Sequence, residues 1–156
     1  MFHADQARAA RLSGDSSCTT HGSRTAVDSC RFYGFLIARA LDGHSKADLL
    51  DPALASGGPF EDEPLHADVL EVALGSYKEK NPPEIEASGY VVKSLEAALW
   101  AFHGADDFEK GALKAVNLGD DADTVGAIYG QLAGAHYEFA GIPSRWRDKV
   151  AEFDCL

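Results

Sequence analysis

The sequence predicts an all-α fold, and three observations indicate it. Apolar residues recur every three or four positions over residues 20–43, as expected of an amphipathic helix. Polar breaks that contain capping residues separate this segment from several others of the same kind. The only strand-like run, residues 90–92, is too short to count as a strand. Since 156 residues suffice for one domain with its own core, we expect a single all-α domain over residues 1–156.

The clearest predicted helix lies in residues 20–43. We expect Thr20 to cap its start and Gly43 to stop it. Its apolar face is predicted to comprise Ala26, Cys30, Tyr33, Ile37 and Leu41, and its polar face Arg24, Asp28, Arg31, Arg39 and Asp42. A short helix follows in SKADLLDP, with Ser45 as its N-cap, Asp48 at the third helical position and Pro52 at its end.

The middle of the chain alternates loops with helices. Residues 55–64 are rich in Gly, Pro and acidic side chains, so we expect a surface loop there. A helix is predicted at 65–75, followed by a second break at 78–89 that contains two adjacent prolines. Residues 90–104 and 106–119 are predicted to form two further helices.

A longer helix is expected from Ala122 to Phe139, before a last short helix in residues 142–153. Gly126, Gly130 and Gly134 recur on one face of the long helix. Each glycine costs roughly 1 kcal/mol relative to alanine inside a helix. Such a stripe is favoured where another helix backbone must come very close, so we expect this helix to be central and closely surrounded by others.

Composition disfavours several classes of function. The chain has 25 acidic and 14 basic side chains and a formal charge of −11. Nucleic acids and anionic membranes are therefore unexpected partners, because phosphate groups are bound by clustered Lys and Arg. No run approaches the roughly 18 apolar residues of a membrane span, and the charged start is unlike a signal peptide. Three widely spaced cysteines without metal-binding spacing favour reduced thiols and a cytoplasmic location.

The stretch NLGDDADTVG, residues 117–126, concentrates oxygen-bearing side chains at a predicted helix start. Asp120, Asp121, Asp123 and Thr124 lie within five positions. One carboxylate suffices to cap a helix, and further carboxylates about 4 Å apart repel by ~1 kcal/mol even in bulk water unless a cation lies among them. Mg²⁺, Mn²⁺ and Ca²⁺ prefer such oxygen ligands, although the spacing does not fit an EF-hand. A helix cap and a metal site held by Asp121, Asp123 and Thr124 both remain open.

These residues also carry a resemblance to a known family. AVNLGDDADTVGAIYGQLAGAHY and the IPSRWRDKV that follows resemble the C-terminal signature of the ADP-ribosylglycohydrolase family, which includes dinitrogenase-reductase-activating glycohydrolase and the ADP-ribosylhydrolases. The stretches TTHGSRTAVDSCRFYGFLIARALDG and SGYVVKSLEAALWAFHGADDFEKGALKAV resemble that family in the same order. The likeness extends from about Leu12 to Val150, and the Asp-x-Asp-Thr element is its most specific part.

The resemblance implies an all-α fold whose cleft holds two Mg²⁺ ions, with Mn²⁺ as a possible substitute. It implies hydrolysis of the bond that joins C1″ of ADP-ribose to a protein side chain, or of a related O-linked ADP-ribose. The expected partner is thus ADP-ribose or an ADP-ribosylated protein. The matching metal ligands are Asp121, Asp123 and Thr124. The matching substrate-binding positions are His21, Tyr90, Asn117 and Gly119. No catalytic acid or base is assigned. By their own patterns, His21 is typical of a surface residue and Tyr90 of a core aromatic residue.

The resemblance covers only the C-terminal half of the family's domain. The other half supplies a Thr-Asp-Asp ligand set, which the ADD at residues 105–107 does not match because Ala105 is not a threonine. The ligands of this chain alone would hold part of a two-metal site, so water would have to complete the octahedral shell of Mg²⁺. We consider three interpretations: a fragment of a full hydrolase, a half-protein that needs a partner chain, and a non-catalytic ADP-ribose-binding or interaction module.

Overall fold

The fold is all-α, as predicted. The computed structural model describes residues 4–150, and within this range every regular element is a helix. In chain order the helices are α1 (Gln6–Ser17), α2 (Arg24–Leu41), α3 (Lys46–Leu49), α4 (Ala67–Ala73), α5 (Val91–His103), α6 (Phe108–Val116), α7 (Ala122–Gly141) and α8 (Ser144–Arg147). Short 3-10 turns lie between them at Pro52–Ala55, Gly58–Phe60 and Ser76–Lys78. Over this part of the chain, no helix combines the length and the apolar character that crossing a bilayer requires.

Capping residues explain where the early helices begin. The predicted capping box of α3 is confirmed, because Ser45 Oγ accepts from the Asp48 N–H at 3.2 Å and Asp48 Oδ2 accepts from the Ser45 N–H at 3.2 Å. α2 begins later than predicted. Its N-cap is Ser23 rather than Thr20, since Ser23 Oγ accepts from the Ala26 N–H at 3.2 Å. At the other end of the chain, residues 151–153 of the last predicted helix lie outside the described residues.

The structure adds one helix that the apolar pattern did not predict, α1. Asp5 caps it by accepting from the Arg8 N–H at 2.9 Å, and the alanine-rich stretch that follows has high helix propensity. Ala10 and Gly14 are buried where α1 packs on α2. A Cβ on Gly14 would lie 2.7 Å from the Arg31 side chain, so the two helices approach closely there. Small buried residues carry little hydrophobic periodicity, which explains the weak sequence signal.

α2 is buried on part of the face that the sequence predicts to be polar. Asp28 and Arg31 are only 0% and 6% exposed. Their core neighbours on this helix are Phe32, Phe35 and Leu36. Four positions of the predicted apolar stripe are instead partly buried or exposed: Cys30, Tyr33, Ile37 and Leu41. The period correctly predicted a helix and the burial of Ala26, but it was wrong for Asp28 and Arg31, because charged side chains can be buried when they pair with each other.

Asp28 is the centre of a buried ion-pair network. Its Oδ1 accepts from Arg31 Nη1 at 2.8 Å. Its Oδ2 accepts from Arg24 Nε at 2.6 Å and from the His66 N–H at 2.8 Å. Arg31 Nη2 also donates to the Glu63 carbonyl at 3.0 Å. The network therefore joins α2 to the loop that precedes α4 and to the N-cap of α4 itself.

The loop at 55–64 is only partly a surface loop. Residues 61–64 are exposed as predicted, whereas Phe60 is 1% exposed. The Phe60 ring meets that of Phe35 edge to face at a centroid distance of 5.4 Å, and the Arg31 guanidinium lies 5.6 Å from the centre of the Phe60 ring. One aromatic residue and the Asp28 network thus anchor an otherwise acidic and solvated segment.

α5 is more completely buried than α7, the glycine-striped helix that was predicted to be central, although α7 does pack against α2, α5 and α6. α5 packs against α2, α4, α6 and α7. Ala97, Ala101 and Phe102 on this helix are 0% exposed. The two alanines lie on a helix that has neighbours on several sides, where small side chains allow close approach.

The glycine stripe of α7 is more open than predicted. A Cβ added at Gly130 or Gly134 would meet no atom within 4 Å, whereas one added at Gly126 would lie 3.0 Å from Val116 Cγ1. The predicted close approach is therefore wrong at two of the three glycines. Another face of α7 carries its fully buried residues: Val125, Tyr129, Leu132 and Ala133. Near its end the helix leaves regular geometry at Glu138, where φ is 60°.

Asp28→Asn should lower the free energy of unfolding by about 3 kcal/mol, because the buried Arg31 would keep as its anion only the Glu63 carboxylate, which lies 3.2 Å away on a side chain that is 66% exposed. Asparagine keeps the shape of the side chain, so the substitution removes charge and little packing. Urea unfolding followed by circular dichroism measures the loss. Asp15→Asn is the matched control, since Asp15 and Arg11 pair at 3.1 Å with side chains that are 62% and 65% exposed. This exposed pair should contribute less than about 1 kcal/mol, and equal losses in the two variants would contradict the role of Asp28.

The same carboxylate should make the protein acid-labile. Burial alone would raise the pKa of Asp28, but hydrogen bonds from Arg31, Arg24 and the His66 N–H outweigh it and hold that pKa below its ordinary value. A group with a lowered pKa in the folded state stabilises the fold above about pH 4, and this stabilisation is lost as the pH falls through the folded-state pKa. The free energy of unfolding should fall more steeply with decreasing pH in the wild type than in Asp28→Asn. The same pH dependence in both proteins would contradict this prediction.

Gly130→Ala should raise the free energy of unfolding by about 0.5–1 kcal/mol, because alanine has the higher helix propensity and its methyl group would enter open space. Gly126→Ala is the matched control on the same helix, and the nearby Val116 should cancel or reverse the gain. Thermal and urea unfolding measure both changes. Destabilisation by Gly130→Ala would mean that this face is closely packed after all.

Candidate functional site

A cleft of about 830 Å³ lies where three long helices begin. The first turns of α2, α5 and α7 contribute to its wall, and the second half of α1 borders it. Hydroxyl side chains dominate its polar lining: Ser13, Ser16, Ser17, Thr19, Thr20, Ser23, Thr25, Ser94 and Thr124. None of the residues that line it in the described part of the chain is Lys or Arg. In the described part of the chain, the cleft thus offers many neutral hydrogen-bonding groups and no Lys or Arg.

Helix starts place backbone amides and partial positive charge at this cleft. The first N–H groups of a helix have no partner within the helix, and the macrodipole places partial positive charge there. The N-cap residues of α5 and α7, Tyr90 and Asp121, make no side-chain capping hydrogen bond. Backbone amides at such helix starts are suited to phosphate groups.

The turn before α7 positions the acidic cluster. Gly119 has a φ of 78° and Asp120 a φ of 45°, so two consecutive residues adopt the left-handed conformation. Glycine reaches this conformation without the steric cost that a Cβ imposes. The chain then enters α7 with Asp121 and Thr124 on the wall of the cleft.

Asp121, Asp123 and Thr124 form one connected group. Thr124 Oγ1 donates to Asp121 Oδ1 at 2.8 Å, and the Thr124 N–H donates to Asp123 Oδ1 at 2.9 Å. The capping interpretation is therefore wrong for Asp121, whose side chain accepts from no first-turn N–H. Asp123 is exposed and lies outside the lining of the cleft, beside the two residues that belong to it.

The donor chemistry of this group fits a hard divalent cation, whereas the number of donors fits only part of its coordination shell. Two carboxylates and a hydroxyl are the ligand types that Mg²⁺ and Mn²⁺ prefer. Across residues 4–150, no three His, Cys, Asp or Glu side chains converge in a group able to hold a metal ion. An ion at Asp121 would therefore need water or other groups for its remaining positions.

His21 lies on the wall of the cleft, just before α2. Its Nδ1 is 3.0 Å from Thr20 Oγ1, and Ser17 Oγ donates to the His21 carbonyl at 2.8 Å. The side chain is exposed. Local hydrogen bonds from the end of α1 therefore hold the histidine at the cleft, although its alternative description as a surface residue is also correct.

Tyr90 also lines the cleft, at the start of α5. It is 44% exposed, so the alternative that it is a core aromatic residue is wrong. Its hydroxyl donates to Asp68 Oδ2 at 3.0 Å. This hydrogen bond is the main reason that the pKa of the Tyr90 phenol is raised.

Two other predicted positions, Asn117 and Gly119, do not line the cleft. Asn117 follows α6, where its N–H donates to the Leu113 carbonyl at 3.1 Å, and it lines a second concavity with Trp100 and Lys114. Gly119 is not part of the cleft lining and acts through its backbone conformation. The structure thus brings together four predicted residues in one cleft: His21, Tyr90, Asp121 and Thr124.

Part of the predicted apolar stripe of α2 lines the cleft, although Tyr33 and Ile37 also pack against the core. Cys30, Tyr33 and Ile37 are among the residues that line it. The Tyr33 hydroxyl donates to the Ile128 carbonyl of α7, and burial raises the pKa of its phenol. This contact joins α2 to α7 at the cleft.

Sequence reasoning missed Asp68 and Thr25. Asp68 lies in the first turn of α4, and Thr25 lies in the first turn of α2 and lines the cleft. Both residue types are common in the first turn of a helix, so neither stands out in the sequence. Their relation to Tyr90 depends on how α2, α4 and α5 pack together, which local patterns do not specify.

Gly119→Ala should lower the free energy of unfolding by about 1 kcal/mol, because alanine is strained in the left-handed conformation even though the space around it is open. Amide NMR shifts of Asp121 and Thr124 should also move, since this turn sets their position. Gly22→Ala is the matched control: its surroundings are equally open and its φ is not positive. Equal changes in unfolding free energy and in these amide shifts in the two variants would contradict the role of the turn.

The sequence was also compared with known proteins and protein families. The sequence matches the family model described as ADP-ribosylglycohydrolase over residues 1–156. ADP-ribosylarginine hydrolase Tri1 of Serratia proteamaculans (strain 568) is 41% identical over 140 residues, which are 90% of this chain and 36% of that protein. The protein of the same name from Pseudomonas putida (strain GB-1) is 42% identical over 135 residues, 86% of this chain and 34% of the relative.

A solved structure described as an ADP-ribosylglycohydrolase-related protein complex has a TM-score of 0.82 and 43% identity to this chain. The match covers 93% of this chain and 48% of the solved one. The chain therefore spans about a third of the length of these curated relatives and about half of the solved structure. With the match of the family model over the whole chain, the shared helical fold and the relatives at this identity, the chain belongs to the ADP-ribosylglycohydrolase family.

Proposed function

We propose that this chain binds ADP-ribose in the cleft and contributes to hydrolysis of the bond between ADP-ribose and a protein side chain. The observation that carries the proposal is the meeting of His21, Tyr90, Asp121 and Thr124 in one cleft. These residues come from three separate stretches of sequence, each of which resembles the family. Their convergence would be unexpected if each stretch served only to build the helical core.

The lining of the cleft supports a ligand that is rich in hydroxyl and phosphate groups. Ser and Thr side chains can donate to and accept from ribose hydroxyls. The starts of α2, α5 and α7 provide amides and partial positive charge for a pyrophosphate. These helix starts are important for binding an anion, because the chain carries a net charge of −11 and no Lys or Arg lines the cleft in its described part.

The lack of Lys and Arg among the described residues that line this cleft also favours a divalent cation. A pyrophosphate beside Asp121 would add negative charge to negative charge, and Mg²⁺ or Mn²⁺ would neutralise both. We propose that Asp121, Asp123 and Thr124 hold such an ion, with water and further groups completing its shell. When bound, the ion would polarise water and bind ribose hydroxyls near C1″.

In this proposal the protein side chains orient the substrate. Thr124 fixes Asp121 through its 2.8 Å hydrogen bond, so the carboxylate presents a constant face to the cleft. His21 and Tyr90 border the same space and would limit how the nucleotide enters. Attack of water at C1″ would break the glycosidic bond, release the side chain and leave a hydroxyl on the ribose.

We propose arginine as the modified side chain. Both curated relatives that match most of this chain are named ADP-ribosylarginine hydrolase. A chain with 25 acidic and 14 basic side chains also suits a target whose modified segment is cationic. Since this chain spans only part of those relatives, turnover is proposed to depend on groups from a second chain or a longer polypeptide, whereas ligand binding is assigned to this cleft.

Calorimetry with ADP-ribose, with and without Mg²⁺, tests the proposal in wild type, Asp121→Asn and Asp123→Asn. We expect binding that Mg²⁺ strengthens, and a loss of that strengthening of about tenfold or more in each variant, because a charged ligand of the ion has been removed. Release of ADP-ribose from an ADP-ribosylated arginine peptide is measured in the same samples, with and without a second chain that carries the N-terminal half of the family's domain. Release only when both halves are present would support the hydrolase, and binding without release in either case would favour the non-catalytic module.

Asp148→Asn is the control for charge, because this exposed aspartate follows α8 and lies outside the lining of the cleft. It changes the net charge as much as the other two variants do. It should leave the effect of Mg²⁺ unchanged. Equal effects of all three substitutions, or no binding of ADP-ribose by the wild type under any condition, would overturn the proposed function.

A further inference from the structure

We propose that Asp68 is a positioning residue that fixes the Tyr90 ring as a preformed wall of the cleft, so that ligand affinity depends on a side chain from α4 that does not line the cleft. This inference rests on the proposed function, because it concerns how the same cleft receives ADP-ribose. It assigns a role to α4, a helix without a residue in the lining of the cleft.

Packing alone does not immobilise the Tyr90 ring. Tyr90 is 44% exposed, which leaves much of its side chain in solvent. Its backbone, in contrast, is held locally: the Tyr90 N–H donates to Ser88 Oγ at 3.2 Å, and Ser94 Oγ lies 3.4 Å from the Tyr90 carbonyl. The remaining freedom is rotation of the side chain, and the partners of the hydroxyl restrict that rotation.

Asp68 is the partner that accepts the phenol proton. The Tyr90 hydroxyl donates to Asp68 Oδ2 at 3.0 Å, and the Thr25 hydroxyl faces the same phenol oxygen from α2. A hydrogen bond to a carboxylate is stronger than one between neutral groups. The phenol oxygen therefore joins the first turns of α2 and α4 to the start of α5.

Asp68 is linked through His66 to the buried ion-pair network. His66 caps α4 by accepting from the Asp68 N–H at Nδ1, at 3.3 Å. The His66 N–H donates to Asp28 Oδ2 at 2.8 Å, inside the buried ion-pair network of α2. A chain of hydrogen bonds thus runs from Asp28 through the N-cap of α4 to the ring of Tyr90. This continuity distinguishes Asp68 from a carboxylate on a free surface.

A fixed ring would favour binding because the side chain need not be ordered when the ligand arrives. Ordering a mobile interface side chain costs enough to change affinity about three- to tenfold. Asp68→Ala should therefore raise the Kd for ADP-ribose by about three- to tenfold. Asp68→Asn should stay within about twofold of the wild type, because its amide oxygen can still accept from the phenol.

The decisive experiment is a double-mutant cycle of Asp68→Ala and Tyr90→Phe, with ADP-ribose binding measured by calorimetry in the presence of Mg²⁺. Tyr90→Phe keeps the ring and removes the hydroxyl, so it should weaken binding as much as Asp68→Ala does. The double variant should be no weaker than either single variant, because both changes remove the same contact. Additive losses would overturn the proposal.

A second measurement needs no ligand. The pKa of the Tyr90 phenol, followed by NMR of the ring carbon, should fall towards its ordinary value of about 10 in Asp68→Ala. It should also fall in Asp68→Asn, which lacks the charge, although that variant retains affinity. If the substitutions only destabilised α4, the pKa of the Tyr90 phenol would not fall in both variants.

The two proposals fail separately. If the wild type binds no ADP-ribose, the proposed function is wrong, and the Tyr90 titration then decides the inference alone. An unchanged Tyr90 pKa in Asp68→Ala would overturn it. If the wild type binds and Asp68→Ala binds equally well, the inference is wrong while the proposed function stands.

Discussion

The structure depends on the burial of one carboxylate. Asp28 is 0% exposed in the second turn of α2, and a charge without water must be compensated by fixed partners. Two arginines and a backbone N–H provide that compensation. These partners come from α2 itself and from the N-cap of α4, so satisfying the charge determines where α4 begins relative to α2. Hydrophobic packing is less directional and would not specify this position as narrowly.

The consequences of this constraint reach the cleft. α4 carries Asp68, which meets Tyr90 at the start of α5, while Tyr33 of α2 donates to a carbonyl of α7. Three helix starts are thereby held around a space lined with hydroxyl groups. An acidic chain can bind an anionic nucleotide in such a place because backbone amides, and the divalent ion that we propose, replace the basic side chains. The fold and the chemistry of the site are in this sense consequences of the same helix arrangement.

Part of this arrangement could be predicted from the sequence. Periodicity and capping chemistry located most helices, and the capping box of α3 is confirmed. Which face of each helix is buried was harder to predict. α2 was predicted with Asp28 towards solvent because charged residues are usually exposed, and only tertiary partners reveal that this one is buried. The stripe on α7 was predicted to be closely packed because glycine destabilises a helix relative to alanine unless close packing requires it. Gly130 and Gly134 nevertheless face open space. α1 escaped prediction because its buried residues are small.

For the cleft, the resemblance identified residues whose proximity local patterns cannot establish. His21, Tyr90, Asp121 and Thr124 lie together, whereas Asn117 lines another concavity, since spacing along the chain does not encode the direction of a helix end. Asp68 carries no signal at all without the packing of α4 on α5. The most direct test of the central claim is a crystal structure with Mn²⁺ and ADP-ribose that uses the anomalous signal of manganese. The account predicts a manganese peak beside Asp121, Asp123 and Thr124 with the pyrophosphate at the helix starts; a peak elsewhere, or nucleotide outside this cleft, would contradict it.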